Sequence, residues 1–227
     1  MSEAPSYLTT LLAPYAAAPP PARPHVTLTF AQSLDGKIAG PGGAQLILSG
    51  AESMLMTHWL RTQHDAIIIG VGTAINDDPQ LNTRHLPPAL PGERRHVPRP
   101  VVLDRSLRLP PTCKLLKNFA AGTGRRPWVI AAAPADAGSR ARYDLLTAAG
   151  AKVLLLPEGS SDANRTEPAL ALLRAQGVRT LMVEGGARVI ASFFGAARCV
   201  DTILVTTAPR LVGPAGVGYS VPEGQVR

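Results

Sequence analysis

Seven short stretches of this chain carry the apolar character of β-strands, and most are separated by segments with helical spacing. HVTLTFAQS at 25–33 alternates Val26, Leu28 and Phe30 against Thr27 and Thr29, a period of two that predicts a strand. LDGKIAG supplies a turn with Gly36, and SGAESMLMTHWLRTQH then changes period. Ser49 or Gly50 is placed to cap a helix, Glu52 lies in its first turn, and Met54, Leu55 and Trp59 recur at helical spacing. DAIIIGV at 65–71 is continuously apolar and β-branched, as expected of a strand covered on both faces. RPVVLD, RPWVIAAA, AKVLLLP, RTLMVEGG and DTILVTTAP repeat that signal, with helical patterns at 139–150 and 167–177 between three of them. The expected fold is α/β, an open, mixed but mostly parallel sheet with flanking helices.

Residues 1–24, MSEAPSYLTTLLAPYAAAPPPARP, are crowded with proline and alanine and read as a flexible arm, leaving 25–227 as a single domain. With 45% apolar residues, 227 positions suffice for one real core. No apolar run approaches the ~20 residues of a membrane span. Cys113 and Cys199 are too few for a disulfide framework, which fits a reducing, cytoplasmic compartment. A net charge of +7 points to an anionic partner, with phosphate as the common denominator. Nucleic acid is disfavoured, because aromatic residues make up only 4% of the chain and do not interleave with the basic clusters.

Two stretches have the composition of ligand loops beyond strand ends, where open α/β sheets bind small molecules. GVGTAINDDPQLNTR at 70–84 reads as a glycine-rich loop in which Gly70 and Gly72 admit a close ligand and Thr73 offers a hydroxyl. Asp77 and Asp78 precede Pro79, and Arg84 has the planar fork that suits a phosphate. VEGGARVIASFFG at 183–195 ends a strand at Glu184 and enters a helix through Gly185 and Gly186, exposing first-turn amides to an anion such as pyrophosphate. His58 and Trp59 read as packing residues and His64 as a helix-terminal charge or cap. Arg61, Arg105 and Arg108 are charges that could reach a ligand. No ligand spacing for a metal is evident.

TLTFAQSLDGKIA, MTHWLRTQHDAIIIGVGTAINDDPQLNTR, RPVVLDRSLRLP and LMVEGGARVI occur in that order and resemble the riboflavin-pathway reductases, most closely their stand-alone fungal and archaeal type. The resemblance implies a dihydrofolate-reductase-like fold, NADPH as hydride donor, a homodimer, and a phosphorylated pyrimidine whose ribosylamino group is reduced to ribitylamino. It places Thr73, Asp77, Arg105, Gly185, Gly186, Ala187, Arg188 and Val189 against the cofactor, with Arg105 toward its 2′-phosphate. Gln45, Ser49, Arg61, Leu81, Arg84 and Glu184 fall on the substrate side, Arg84 near the ribose phosphate. Asp77 and Glu184 are the candidates for moving a proton. Family members continue past the equivalent of APRLVGPAG into another strand, whereas this chain stops at GYSVPEGQVR; a missing strand would expose a sheet edge, weaken the dimer, or leave a cofactor-binding but inactive protein. A folate reductase is disfavoured, since the first helix after the first strand carries Glu52 only in its opening turn.

Overall fold

A computed structural model describes residues 4–18, 20–89, 92, 94–161 and 164–221. The seven strands fall where the apolar pattern places them: β1 His25–Ser33, β2 Ala66–Gly70, β3 Arg99–Leu103, β4 Trp128–Ala131, β5 Lys152–Leu155, β6 Thr180–Glu184 and β7 Thr202–Ala208. They form one sheet in the order β5-β4-β3-β2-β6-β1-β7, and every pairing between these strands is parallel. The expected mixture of directions is reduced, among the described residues, to a single antiparallel bridge between Ala39 and Val217.

Alternation along the strands divides the core into two layers. Ile67 and Ile69 of β2, Val102 of β3 and Met182 of β6 face one layer, while Ile68, Val101, Leu181 and Val183 face the other. The first layer is covered by α1 Ser6–Ala17, α2 Ala51–Thr62, α3 Val71–Asp77, α4 Lys114–Ala120 and α5 Ala137–Ala148. The second is covered by α6 Thr166–Ala175 and α7 Ala187–Gly195. Asp136 and Ser139 close a capping box on α5, satisfying two donors that the helix start would leave unpaired.

The stretch expected to be a flexible arm contains α1, which docks on the sheet. Leu8 and Leu12, four residues apart and hence on one helical face, are buried in the first core layer, and that burial outweighs Pro14 inside the helix. Leu8→Ala should therefore cost about 2–4 kcal/mol in urea unfolding. A loss below about half a kcal/mol would mean that α1 is not part of the cooperative core.

The polar face of β1 is also covered. Thr27 and His25 are fully buried, and so is His64, which fills the second of its expected roles, terminal charge or cap, by capping the last turn of α2 from inside the core. The His64 Nδ1 lies 2.8 Å from the Leu60 carbonyl, which can only accept, so Nδ1 donates and Nε2 accepts from the Thr27 hydroxyl at 2.9 Å. Tyr15 of α1 stacks on His25 at 3.8 Å, and His25 Nε2 meets the Thr202 hydroxyl at 3.2 Å. Burial lowers both imidazoles to about 4, so they are held neutral.

Candidate active site

Because β2 and β6 are parallel neighbours in the middle of the sheet, Gly70 and Glu184 end close together at the carboxyl end of the strands. The 70–77 stretch is not the loop its glycines imply: β2 passes directly into α3, with Gly70 as the N-cap. Gly70 and Gly185 serve helix packing rather than ligand approach. A Cβ on Gly70 would stand 2.8 Å from Val189 Cγ2, and one on Gly185 would stand 2.6 Å from Val189 Cβ. With neither present, Val189 settles between the two strand ends and draws the first turn of α7 onto their seam.

Gly186 is different, since a Cβ there would meet only Thr73 Oγ1, at 3.6 Å. Thr73 of α3 and the Gly186 N-cap of α7 thus face each other across the seam, and Arg188 reaches to within 3.8 Å of a Cβ built on Gly72. No side chain caps α7, and the amides of Ala187 and Arg188 have no partner among the described residues. A nine-residue helix with open first-turn amides, an arginine beside them and open space over its N-cap can hold an anionic phosphate bridge. The residue set therefore fits a dinucleotide.

Glu184 is half-buried and bound on its other side by Arg61 of α2. The guanidinium donates from Nε at 3.1 Å and from Nη2 at 3.1 and 3.0 Å to the two carboxylate oxygens, and from Nη1 to the Asn82 carbonyl at 3.0 Å. One arginine therefore ties the end of β6 to the 79–84 segment. Asn82 also accepts from Arg84, with Nη1 3.4 Å from its Oδ1. Asn82 was not evident as a site residue in the sequence, although it lies inside the stretch singled out there.

The two aspartates of DDP separate in role. Asp78, at φ 39° in the left-handed region, accepts the Lys114 amide at 2.8 Å and so joins the end of α3 to the start of α4. Asp77 is the last residue of α3, and its carboxylate has no hydrogen-bond partner among the described residues. Desolvation raises its carboxyl above the ordinary value, although the side chain is still exposed, which limits how far that push can go. Leu81 also adopts positive φ, 51°, but its side chain is 2% exposed within the first core layer, so only its backbone can face a ligand.

Arg105 is exposed just after β3, on a loop pinned from beneath. Buried Asp104 accepts the Leu109 amide at 2.7 Å through Oδ2, its Oδ1 has no partner, and desolvation raises its carboxyl. Arg105 contributes its carbonyl to the Ala132 amide at 3.1 Å, and its side chain makes no hydrogen bond or ion pair among the described residues. Gln45, exposed, and Ser49, just before the Gly50 cap of α2, are not joined by any contact to Arg61, Glu184 or Arg84.

The model of the RibD C-terminal domain family matches residues 24–227. The 2,5-diamino-6-ribosylamino-4(3H)-pyrimidinone 5′-phosphate reductase of Schizosaccharomyces pombe is 35% identical over 208 residues, covering 85% of this chain and 77% of the relative. The protein of the same name from Eremothecium gossypii is 34% identical, covering 95% and 87%. A solved riboflavin biosynthesis reductase from Saccharomyces cerevisiae superposes with a TM-score of 0.72 at 26% identity, covering 95% of this chain and 89% of its own. The α/β sheet is thus of the dihydrofolate-reductase-like kind found in those reductases. The chain belongs to the RibD C-terminal domain family.

Proposed function

We propose that this protein is an NADPH-dependent reductase of riboflavin biosynthesis, reducing 2,5-diamino-6-ribosylamino-4(3H)-pyrimidinone 5′-phosphate to its ribitylamino product. The observation that carries the reading is the juxtaposition at the β2–β6 seam: open amides and Thr73 on one side, and the Arg61–Glu184 pair with Arg84 on the other. Bound NADPH would supply the hydride that reduces C1′ of the ring-opened sugar.

The protein's own part is binding, orientation and proton management. Ala187, Arg188 and Thr73 would hold the pyrophosphate region, Val189 would set the height of that turn, and Arg105 would meet the 2′-phosphate. Glu184, gripped by a guanidinium fork, is fixed as an acceptor for substrate donors rather than as an acid. Asp77, unpaired and with its carboxyl raised, is the better group to hand over a proton. Leu81, Gln45 and Ser49 complete the substrate side, and Arg84 takes the phosphate.

A homodimer is supported by the edge of β7, which no strand covers among the described residues; its seven residues include no charge and no proline and leave Ile203 and Val205 exposed. Both cysteines are free and buried, which suits a cytoplasmic protein. No helix among the described residues is long and apolar enough to cross a membrane.

The test follows NADPH oxidation by absorbance with the diaminopyrimidinone substrate, its deaminated counterpart and dihydrofolate in parallel. Turnover of the first alone is expected; turnover of none would sink the reading. In the same assay Arg84→Ala should raise KM for the phosphorylated substrate about 10- to 100-fold, since a charge-assisted contact is lost. An unchanged KM would remove Arg84 from the phosphate.

A further inference from the structure

Two residues on one face of α2, His58 and Arg61, grip the segment that carries Arg84. Arg61 holds the Asn82 carbonyl, while the His58 ring meets the His85 ring in a T-shaped contact, with centroids 4.7 Å apart and planes at 83°. His58 is 1% exposed, and its Nδ1 is buried with no partner, a cost that a phenylalanine at the same place would not incur. An imidazole retained there is explained by the His85 ring that it holds in place.

What they hold is a cationic face that no carboxylate neutralises among the described residues. The charge of Arg61 is matched by Glu184, whereas among the described residues Arg84 is hydrogen-bonded only to the neutral Asn82, and both Arg84 and His85 are exposed. A phosphate monoester offers several acceptor oxygens and is recognised best by more than one donor. His85, next to Arg84 and with its ring direction fixed by His58, presents such a donor.

We infer that His85 is a second contact for the substrate's phosphate group beside Arg84, and that His58 is the positioning residue that aims it. This rests on the reductase reading above and adds to it two residues to which the family resemblance assigns no role.

The experiment compares the phosphorylated substrate with its dephosphorylated form, and measures ribose 5-phosphate binding by calorimetry. His85→Ala, at an exposed position, should raise KM for the phosphorylated substrate about tenfold and leave the dephosphorylated one unchanged, with His85→Gln restoring part of the loss. His58→Phe should raise the same KM severalfold by itself, yet add little in the His85→Ala background, because both act through one contact. Equal losses on the two substrates, no loss at all, or fully additive effects would overturn the assignment. Calorimetry separates the two levels: a wild type that binds ribose 5-phosphate but oxidises no NADPH refutes the reductase reading. Equal ribose 5-phosphate affinity in wild type and His85→Ala refutes the phosphate contact.

Discussion

Gly186→Val is expected to abolish NADPH binding while leaving the melting temperature almost unchanged. The N-cap backbone of α7 is extended there, at φ −74° and ψ 177°, a conformation that valine accepts without strain. Within the protein the added Cβ meets only Thr73 Oγ1 at an ordinary 3.6 Å. The branched side chain would instead fill the space above the open Ala187 and Arg188 amides, where the pyrophosphate is proposed to lie. A loss of at least about 100-fold in NADPH affinity is expected, because the anion is pushed beyond hydrogen-bond range of those amides. Gly185→Val should behave in the opposite way: its Cβ would sit 2.6 Å from Val189 Cβ, so the turn must open and the fold itself weaken. Fluorescence titration of NADPH and thermal melts on both variants make the comparison. Undiminished affinity in Gly186→Val would take the β6–α7 turn out of the cofactor site.

The second large effect is a loss of stability in mild acid. His25 and His64 are held neutral at about 4, and His58, desolvated and beside Arg61, at about 3. Their unfolded values lie near 6.5. A lowered folded value means that the unfolded chain takes up protons first, so stability is intact above about 6.5 and drains away as pH falls toward 4. Between pH 7 and pH 5 each of these histidines should cost about 2 kcal/mol, which is large against a typical total of 5–15 kcal/mol. Asp104 works in the opposite sense, since its raised carboxyl is most comfortable at low pH and loses stability as pH rises. Urea unfolding at pH 7 and pH 5 measures the difference, with a His25→Asn/His64→Gln variant as the comparison. An identical pH dependence in that variant would clear these two residues of responsibility.

All seven strands were legible because each combines β-branched residues with a turn signal at its end. The helix at 71–77 was not, since Gly70, Gly72 and the paired aspartates imitate a loop; tertiary packing of Val71 and Ala74 decides it. Proline and alanine hid α1, although Leu8 and Leu12 at a spacing of four carried the signal. Nothing local marks α4, whose start is fixed in part by Asp78, 36 residues away. Within the site, Glu184 and the 70–84 stretch stood out by composition, but the grip of Arg61 on Glu184 spans 123 residues of chain and is visible only once α2 lies against β6.

The strand order also has a kinetic meaning. Strands β2, β3 and β4 each pair with the next strand in the chain, so that half of the sheet can zip up from local encounters. Strand β1 has no such neighbour: His25 waits for Thr180 and Thr27 for Thr202 before either edge of β1 is filled. Refolding should therefore be slow, with closure of those distant pairings as its late step, and during synthesis Val26 and Leu28 remain uncovered until the far end of the chain has emerged. A protein of this topology depends on whatever shields its first strand while the last two are still being made.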